Sequence, residues 1–180
     1  MNVEGYIGLG SNIGDRIDAI MRAVEAIDAM SGVAAFRLST LIETAPVGNQ
    51  DQPDFVNAVL QVRSRLEPVQ MLDQLLALEL EMGRDRSIGE DGGPRLIDLD
   101  LLVWGDHQLD MPGLVLPHPR LAERAFVLIP MVELAPNLIH PVLGRSMQEL
   151  LVEEIKANGP LEDRCRPAGH GPLLDGTDCS

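Results

Sequence analysis

Apolar residues recur through Val3–Leu9 in the manner of a short strand, and the chain then turns through Gly10-Ser11-Asn12-Ile13-Gly14. Asp15 or Ser11 can cap a following helix that carries Ile17, Ile20, Met21, Val24 and Ile27 at helical spacing, and Gly32 closes it. Val33–Thr44 reads as extended, Ala45–Pro53 as a loop, and Phe55–Arg65 as a strand. Pro68 suits a helix first turn; the helix it opens aligns Val69, Leu72, Leu76 and Glu79 on one stripe and stops at Gly83. After a loop at Arg84–Arg95, Leu96–Val103 forms an apolar strand interrupted by two aspartates. A helix around Phe126–Glu133 and an amphipathic segment near Met147–Lys156 follow.

The order strand, helix, strand, strand, helix, strand predicts an α+β fold of the ferredoxin-like, split βαβ kind, with helices on one face of an antiparallel sheet. Residues 1–156 would form one domain. From Ala157 onward Gly and Pro recur with little apolar periodicity, which predicts a mostly disordered tail over 157–180.

Composition narrows the chemistry. A formal net charge of −14 argues against a general nucleic-acid binder. Against that sign, Arg84, Arg86, Arg95, Arg120 and Arg124 fall in one short stretch, where arginine forks suit phosphate. A solvated basic surface is the plainer alternative. No apolar run is long enough for a bilayer, Met1–Gly10 lacks the pattern of a signal peptide, and Cys165 and Cys179 sit together near the end. A reducing cytoplasm, without disulfide or membrane, is the expected setting.

The strongest chemical signal is Arg95-Leu96-Ile97-Asp98-Leu99-Asp100-Leu101-Leu102. In a strand Asp98 and Asp100 share a face while Ile97, Leu99, Leu101 and Val103 point to the core on the other. Two carboxylates on one face repel unless a cation or donors lie between them, and hard oxygen ligands suit magnesium with substrate phosphates. An exposed sheet face with two solvated charges is the alternative. Arg84 and Arg95 at the two ends of a loop could fold over phosphates held there, the logic of phosphoryl transfer. No Gly-x-x-x-x-Gly-Lys-Ser/Thr run exists, which rules out a P-loop enzyme. Glu79 either emerges from the core at a helix end or faces a nucleotide pocket. His118, held between two prolines, is either structural or a phosphate contact near Arg124. Phe55 and Asn57 share the strand face opposite Val56, Ala58, Leu60 and Val62, which suits a flat heterocycle or a second buried face.

Together these residues resemble the 6-hydroxymethyl-7,8-dihydropterin pyrophosphokinases of folate synthesis, from about Tyr6 to Pro141. The resemblance rests on Leu9-Gly10-Ser11-Asn12, Thr44-Ala45-Pro46-Val47-Gly48, Gln52-Pro53-Asp54-Phe55-Val56-Asn57, Gly83-Arg84-Asp85-Arg86, Gly93-Pro94-Arg95 with the aspartate strand, Pro117-His118-Pro119 and Arg124-Ala125-Phe126. It implies transfer of the terminal diphosphate of ATP, as one unit, to the pterin hydroxymethyl oxygen with release of AMP. Asp98 and Asp100 would hold two magnesium ions; Arg84 and Arg95 would stabilise the transferring group. Glu79, Arg86, Leu101, His118 and Arg124 would bind the nucleotide. Phe55 and Phe126 would sandwich the pterin, read at its edge by Asn57 and by Thr44, Ala45, Pro46 and Val47. The implied partners are these two small molecules alone, with no nucleic acid and no membrane, acting on a monomer.

One departure stands out. Family members usually carry a basic residue and a tryptophan just before the Gly-Pro-Arg of this loop, whereas Ser87–Pro94 reads one residue longer than expected, with Glu90, Asp91 and Gly92 instead. A lid that closes less well implies slower turnover or weaker nucleotide affinity. It is also the motive for a second reading, a divergent paralogue that binds pterin or nucleotide with little or no catalysis. A third, a ferredoxin-like regulatory module, would bind its ligand indifferently to Asp98.

Overall fold

Each long strand divides its apolar residues between two faces, so the molecule is built outward from a central antiparallel sheet with a core on either side. The computed structural model describes residues 2–46, 51–84 and 93–169. Its strands are β1 (Val3–Ser11), β2 (Val33–Leu38), β3 (Leu41–Thr44), β4 (Phe55–Ser64), β5 (Asp98–Trp104), β6 (Leu109–Met111), β7 (Leu114–Leu116) and β8 (Cys165–Gly169). The helices are α1 (Arg16–Asp28), α2 (Pro68–Glu81), α3 (Ala125–Leu134) and α4 (Met147–Asn158). A six-stranded sheet runs β5-β1-β4-β3-β8, with β2 also on β4; β6 and β7 form a separate hairpin. The four-position ladder β5, β1, β4, β2/β3 is the split βαβ arrangement expected from the element order.

The segment read as one extended stretch over Val33–Thr44 is two strands on the same edge of β4. At the break, Ser39 exchanges bonds with Val59: Ser39 N donates to Val59 O, and Val59 N donates to Ser39 Oγ, both at 3.0 Å. The Thr40 amide donates instead to the Glu133 carboxylate of α3 at 3.0 Å. A side chain thus replaces the ladder for one step and lets the edge turn.

Ile7 and Leu9, Ala58, Leu60 and Val62, and Leu99 and Leu101 form the first core with α1 and α2. Tyr6, Val59, Leu102 and Val103 form a second with α3 and α4. Helices therefore cover both faces rather than one, but α3 and α4 cover only part of theirs. Three details correct the periodicity. The buried stripe of α2 is Met71, Leu75 and Leu78, flanked by Glu79, with Val69 exposed; so leucine-rich a helix offers several stripes, and only the sheet selects one. In α1 the buried set is Ala19, Ile20, Ala23, Val24 and Ile27 while Ile17 is exposed, and Asp15 supplies the cap. Val103 joins Leu102 on the second face, because the register of β1 on β5 shifts between Tyr6 and Ile7 and reverses the alternation.

The tail departs from expectation as well. Leu161 packs on the second core, and β8 pairs with β3, so folded structure continues to 169; residues 170–180 lie outside the described residues. Among the described residues no helix is long and apolar enough to cross a membrane.

The α3–α4 connection is held by His140, which is buried and accepts on Nδ1 from the amides of Val142 at 3.3 Å and Leu143 at 3.2 Å. Burial lowers its pKa from the ordinary 6.5. The unfolded chain then binds the proton more readily, so the stability His140 contributes is full above about pH 6.5 and is lost as pH falls below it. Melting temperatures between about pH 7.5 and about pH 5.5 should fall more steeply for the natural chain than for His140→Asn; parallel slopes would contradict this.

Candidate functional site

The uncovered part of the second sheet face is a recess because β1 places glycines there. Gly10 lies opposite Asn57 on one side and Asp98 on the other, and Gly8 lies opposite Asp100. A Cβ at Gly10 would stand 3.2 Å from Asn57 Oδ1, so the floor stays open only while this position has no side chain. The result is a cavity of about 540 Å³.

Its walls differ in chemistry. At one end stand Thr44, Ala45, Phe55 and Asn57 from the β3–β4 ends, with Phe126 from α3. Asn57 Nδ2 donates to Thr44 Oγ1 at 2.9 Å, which fixes the amide's orientation on a buried floor. Two rings and an oriented amide suit a flat, hydrogen-bonding heterocycle. At the other end stand Asp98 and Asp100, the only acidic side chains in the described lining, with Arg84, Arg95, His118, Arg120 and Arg124 around them.

These charges are already paired. Asp98 accepts from Arg84 in a close contact and lies 3.0 Å from Arg95 Nη2. Asp100 Oδ2 lies 3.9 Å from both His118 Nε2 and Arg124 Nη1. The Arg95 guanidinium sits 5.0 Å from the Phe55 ring centre and Arg124 5.5 Å from that of Phe126, so the cationic and aromatic ends meet. Arg95 Nε is buried with no hydrogen-bond partner among the described residues, a donor that an anion could satisfy.

His118 has a defined form. Its Nδ1 accepts from the Arg120 amide at 3.1 Å, which leaves the proton on Nε2, the atom facing Asp100. Burial first, then the charges of Arg124 and Arg120, pushes its pKa down to about 4. At neutral pH it is an uncharged donor. Burial and Arg120 also lower the pKa of Arg124 from its usual value.

Arg84, Arg95, Asp98, Asp100, Thr44, Ala45, Phe55, Asn57, Phe126, His118 and Arg124, separated widely in sequence, line this one cavity as the sequence reading groups them. Three expected members do not. Pro46 is buried beside the cavity without lining it. Leu101 is buried in the first core, since alternation sends it away from Asp100. Glu79 is 1% exposed and outside the lining; its Oε1 accepts from Leu99 N at 2.7 Å and Arg84 Nη1 at 2.6 Å. It holds the strand and the arginine rather than facing the cavity. Val47, Arg86 and the 87–92 part of the loop lie outside the described residues.

Arg120, a member of the arginine cluster, lines the cavity too; Gln52 and Leu102, which also line it, and Asn12 have no role in the sequence reading. Asn12 is buried and ties three segments together. Its Oδ1 accepts from Arg95 N at 2.7 Å, and its Nδ2 donates to Gln52 Oε1 at 3.1 Å and Pro53 O at 3.2 Å. An asparagine directly after a strand, in a fragment already prominent for the resemblance, was the available signal.

The sequence profile of the family 7,8-dihydro-6-hydroxymethylpterin-pyrophosphokinase (HPPK) matches residues 6–136. The chain is 42% identical over 146 residues to the 2-amino-4-hydroxy-6-hydroxymethyldihydropteridine pyrophosphokinase of Pseudomonas aeruginosa, covering 81% of this chain and 88% of that one. To the enzyme of the same name from Bacillus subtilis it is 39% identical over 138 residues, 77% and 81% of the two chains. It is 43% identical over 146 residues to the folic acid synthesis protein fol1 of Pneumocystis carinii, which takes in 81% of this chain but spans only 19% of that longer protein. A crystal structure of a Plasmodium falciparum HPPK-DHPS variant with pterin and p-hydroxybenzoate superposes with a TM-score of 0.74 at 13% identity, over 93% of this chain and 47% of that one, a likeness of fold.

Proposed function

Because the chain belongs to the 7,8-dihydro-6-hydroxymethylpterin-pyrophosphokinase family, we propose that it transfers the terminal diphosphate of ATP to the hydroxymethyl oxygen of 6-hydroxymethyl-7,8-dihydropterin. In that reaction a new bond forms between this oxygen and the β-phosphorus. The bond from the β-phosphorus to the oxygen bridging it to the α-phosphorus breaks, AMP leaves with that oxygen, and the hydroxymethyl proton is released to water. The observation that carries the reading is the bipolar cavity, with Phe55, Asn57, Thr44 and Phe126 at one end and Asp98, Asp100 and the arginines at the other.

Each end has a task. Phe55 and Phe126 would stack the pterin while Asn57, its amide set by Thr44, would hydrogen-bond the ring edge. Ala45 would contribute backbone beside it, and the resemblance extends that role to Pro46 and Val47. Arg84 and Arg95 would turn from Asp98 to phosphate oxygens and stabilise charge on the transferring group. His118, donating from Nε2, with Arg120 and Arg124, would hold the nucleotide; the resemblance adds Arg86, which lies outside the described residues.

The donor set suits magnesium, and the resemblance implies two ions. Asp98 and Asp100 are hard oxygen ligands on one strand face, and no third acidic side chain stands in the described lining, which leaves coordination positions for phosphate oxygens and water. Bound there, the metal would supply charge neutralisation along the triphosphate and polarise the attacking oxygen. No observation favours a merely binding paralogue.

The test is product analysis with ATP, magnesium and 6-hydroxymethyl-7,8-dihydropterin. AMP and pterin diphosphate should appear in equal amounts, and neither should form when the pterin or the metal is omitted. Formation of ADP, or ATP consumption indifferent to the pterin, would overturn the proposal.

A further inference from the structure

The described part of the C-terminal segment lies beyond residues 6–136, yet it reaches the sheet edge beside the cavity. We infer that β8 belongs to the scaffold of the pterin subsite: Arg166, with Arg16, clamps the ends of β3 and β4 from the opposite sheet face and so holds Thr44, Phe55 and Asn57 in position. The inference rests on the reading of those three residues as the pterin subsite.

The strap is fastened at both ends. At its start Leu161 packs on the second core, and Arg164 bonds the buried Glu154 of α4 through both terminal nitrogens, at 2.6 and 2.9 Å. Next, β8 pairs with β3, with Cys165 opposite Thr44 and Arg166 opposite Glu43. Without this pairing β3 would be a four-residue edge strand, short and open to fraying.

Alternation supplies the rest. Thr44 and Phe55 are cross-strand partners, and both line the cavity. The residues just before them, Glu43 and Asp54, turn to the other side, where two arginines from distant parts of the chain meet them. Arg16 Nη1 donates to Glu43 Oε1 and to Asp54 O, both at 2.7 Å. Arg166 Nη2 lies 3.0 Å from Asp54 Oδ2 and 3.7 Å from Glu43 Oε2. Neither arginine lines the cavity, so both are positioning residues. Fixing the backbone at 43 and 54 fixes the next residue of each strand, and with it the Thr44–Asn57 bond.

Hydrogen exchange on the full chain tests the linkage. With magnesium and a non-hydrolysable ATP analogue already present, adding the pterin should slow exchange in 53–58 and also in 161–169. Slowing at 53–58 without any at 161–169 overturns the inference and leaves the pterin subsite standing; no pterin-dependent slowing anywhere overturns both. Kinetics give a second readout. Since Arg166 is an exposed pair, reversal of its charge in Arg166→Glu should raise the pterin KM about fivefold, with the ATP KM within about twofold and Arg166→Lys recovering most of the loss. A parallel rise in both KM values, or no rise in either, overturns the clamp.

Discussion

Asp98→Asn should lower kcat by about a thousandfold or more while the pterin dissociation constant changes by less than about threefold, and Asp100→Asn should behave alike. The asymmetry follows from where the charge sits. Both carboxylates line the charged end of the cavity, where the proposed reaction puts the triphosphate, and Phe55, Asn57 and Thr44 line the other. A carboxylate that holds a divalent cation gains value as charge develops on the transferring group, so its loss falls on the chemical step. In the free chain Asp98 also neutralises Arg84 and Arg95. The asparagine would release both guanidiniums, so metal-free ATP should bind the Asp98→Asn variant at least as tightly as the natural chain. Single-turnover AMP formation, with calorimetric titrations of pterin and of ATP without metal, separates these effects. Unchanged activity in both variants would remove the metal assignment.

The placement of that pair was legible because strand alternation is insensitive to context over a few residues: Ile97, Leu99 and Leu101 enter the core and Asp98 and Asp100 do not. One step further the same rule failed at Val103, since a register shift opposite Tyr6 and Ile7 is a property of two strands together and leaves no mark on one. The helices repeat this lesson. Period located α1 and α2, but the face they bury depends on which side the sheet lies, and in α2 the reading was rotated from Met71, Leu75 and Leu78. The arginine cluster was visible as composition against an acidic background. Asn12 was not, because its importance lies in bonds to Arg95, Gln52 and Pro53, which are remote in sequence. The β8 strap was hidden by glycine and proline that read as disorder, because its anchors, the Arg164–Glu154 ion pair and the ladder with β3, join residues that lie apart in sequence.

Glu79 gives the sharpest contrast between residue pattern and structure, and a second large effect. The resemblance implies a nucleotide contact, but the carboxylate is buried and joins the amide of Leu99, between the two aspartates, to the guanidinium of Arg84. It positions, at once, the strand that presents the carboxylates and the cation that faces them. Replacing it by leucine leaves a buried amide without its acceptor and a mostly buried guanidinium without one of its partners. Glu79→Leu should therefore lose about 3–5 kcal/mol in urea unfolding. Glu79→Gln retains an acceptor for Leu99 and loses the ion pair, and should cost less, about 1–3 kcal/mol. Kinetics of the folded fraction decide the role. If Arg84 stabilises the transferring group as proposed, its misplacement should lower kcat about tenfold or more in Glu79→Gln while the ATP KM stays within about threefold. If Glu79 instead contacts the nucleotide directly, the ATP KM would rise with little change in kcat and the urea midpoint would barely move.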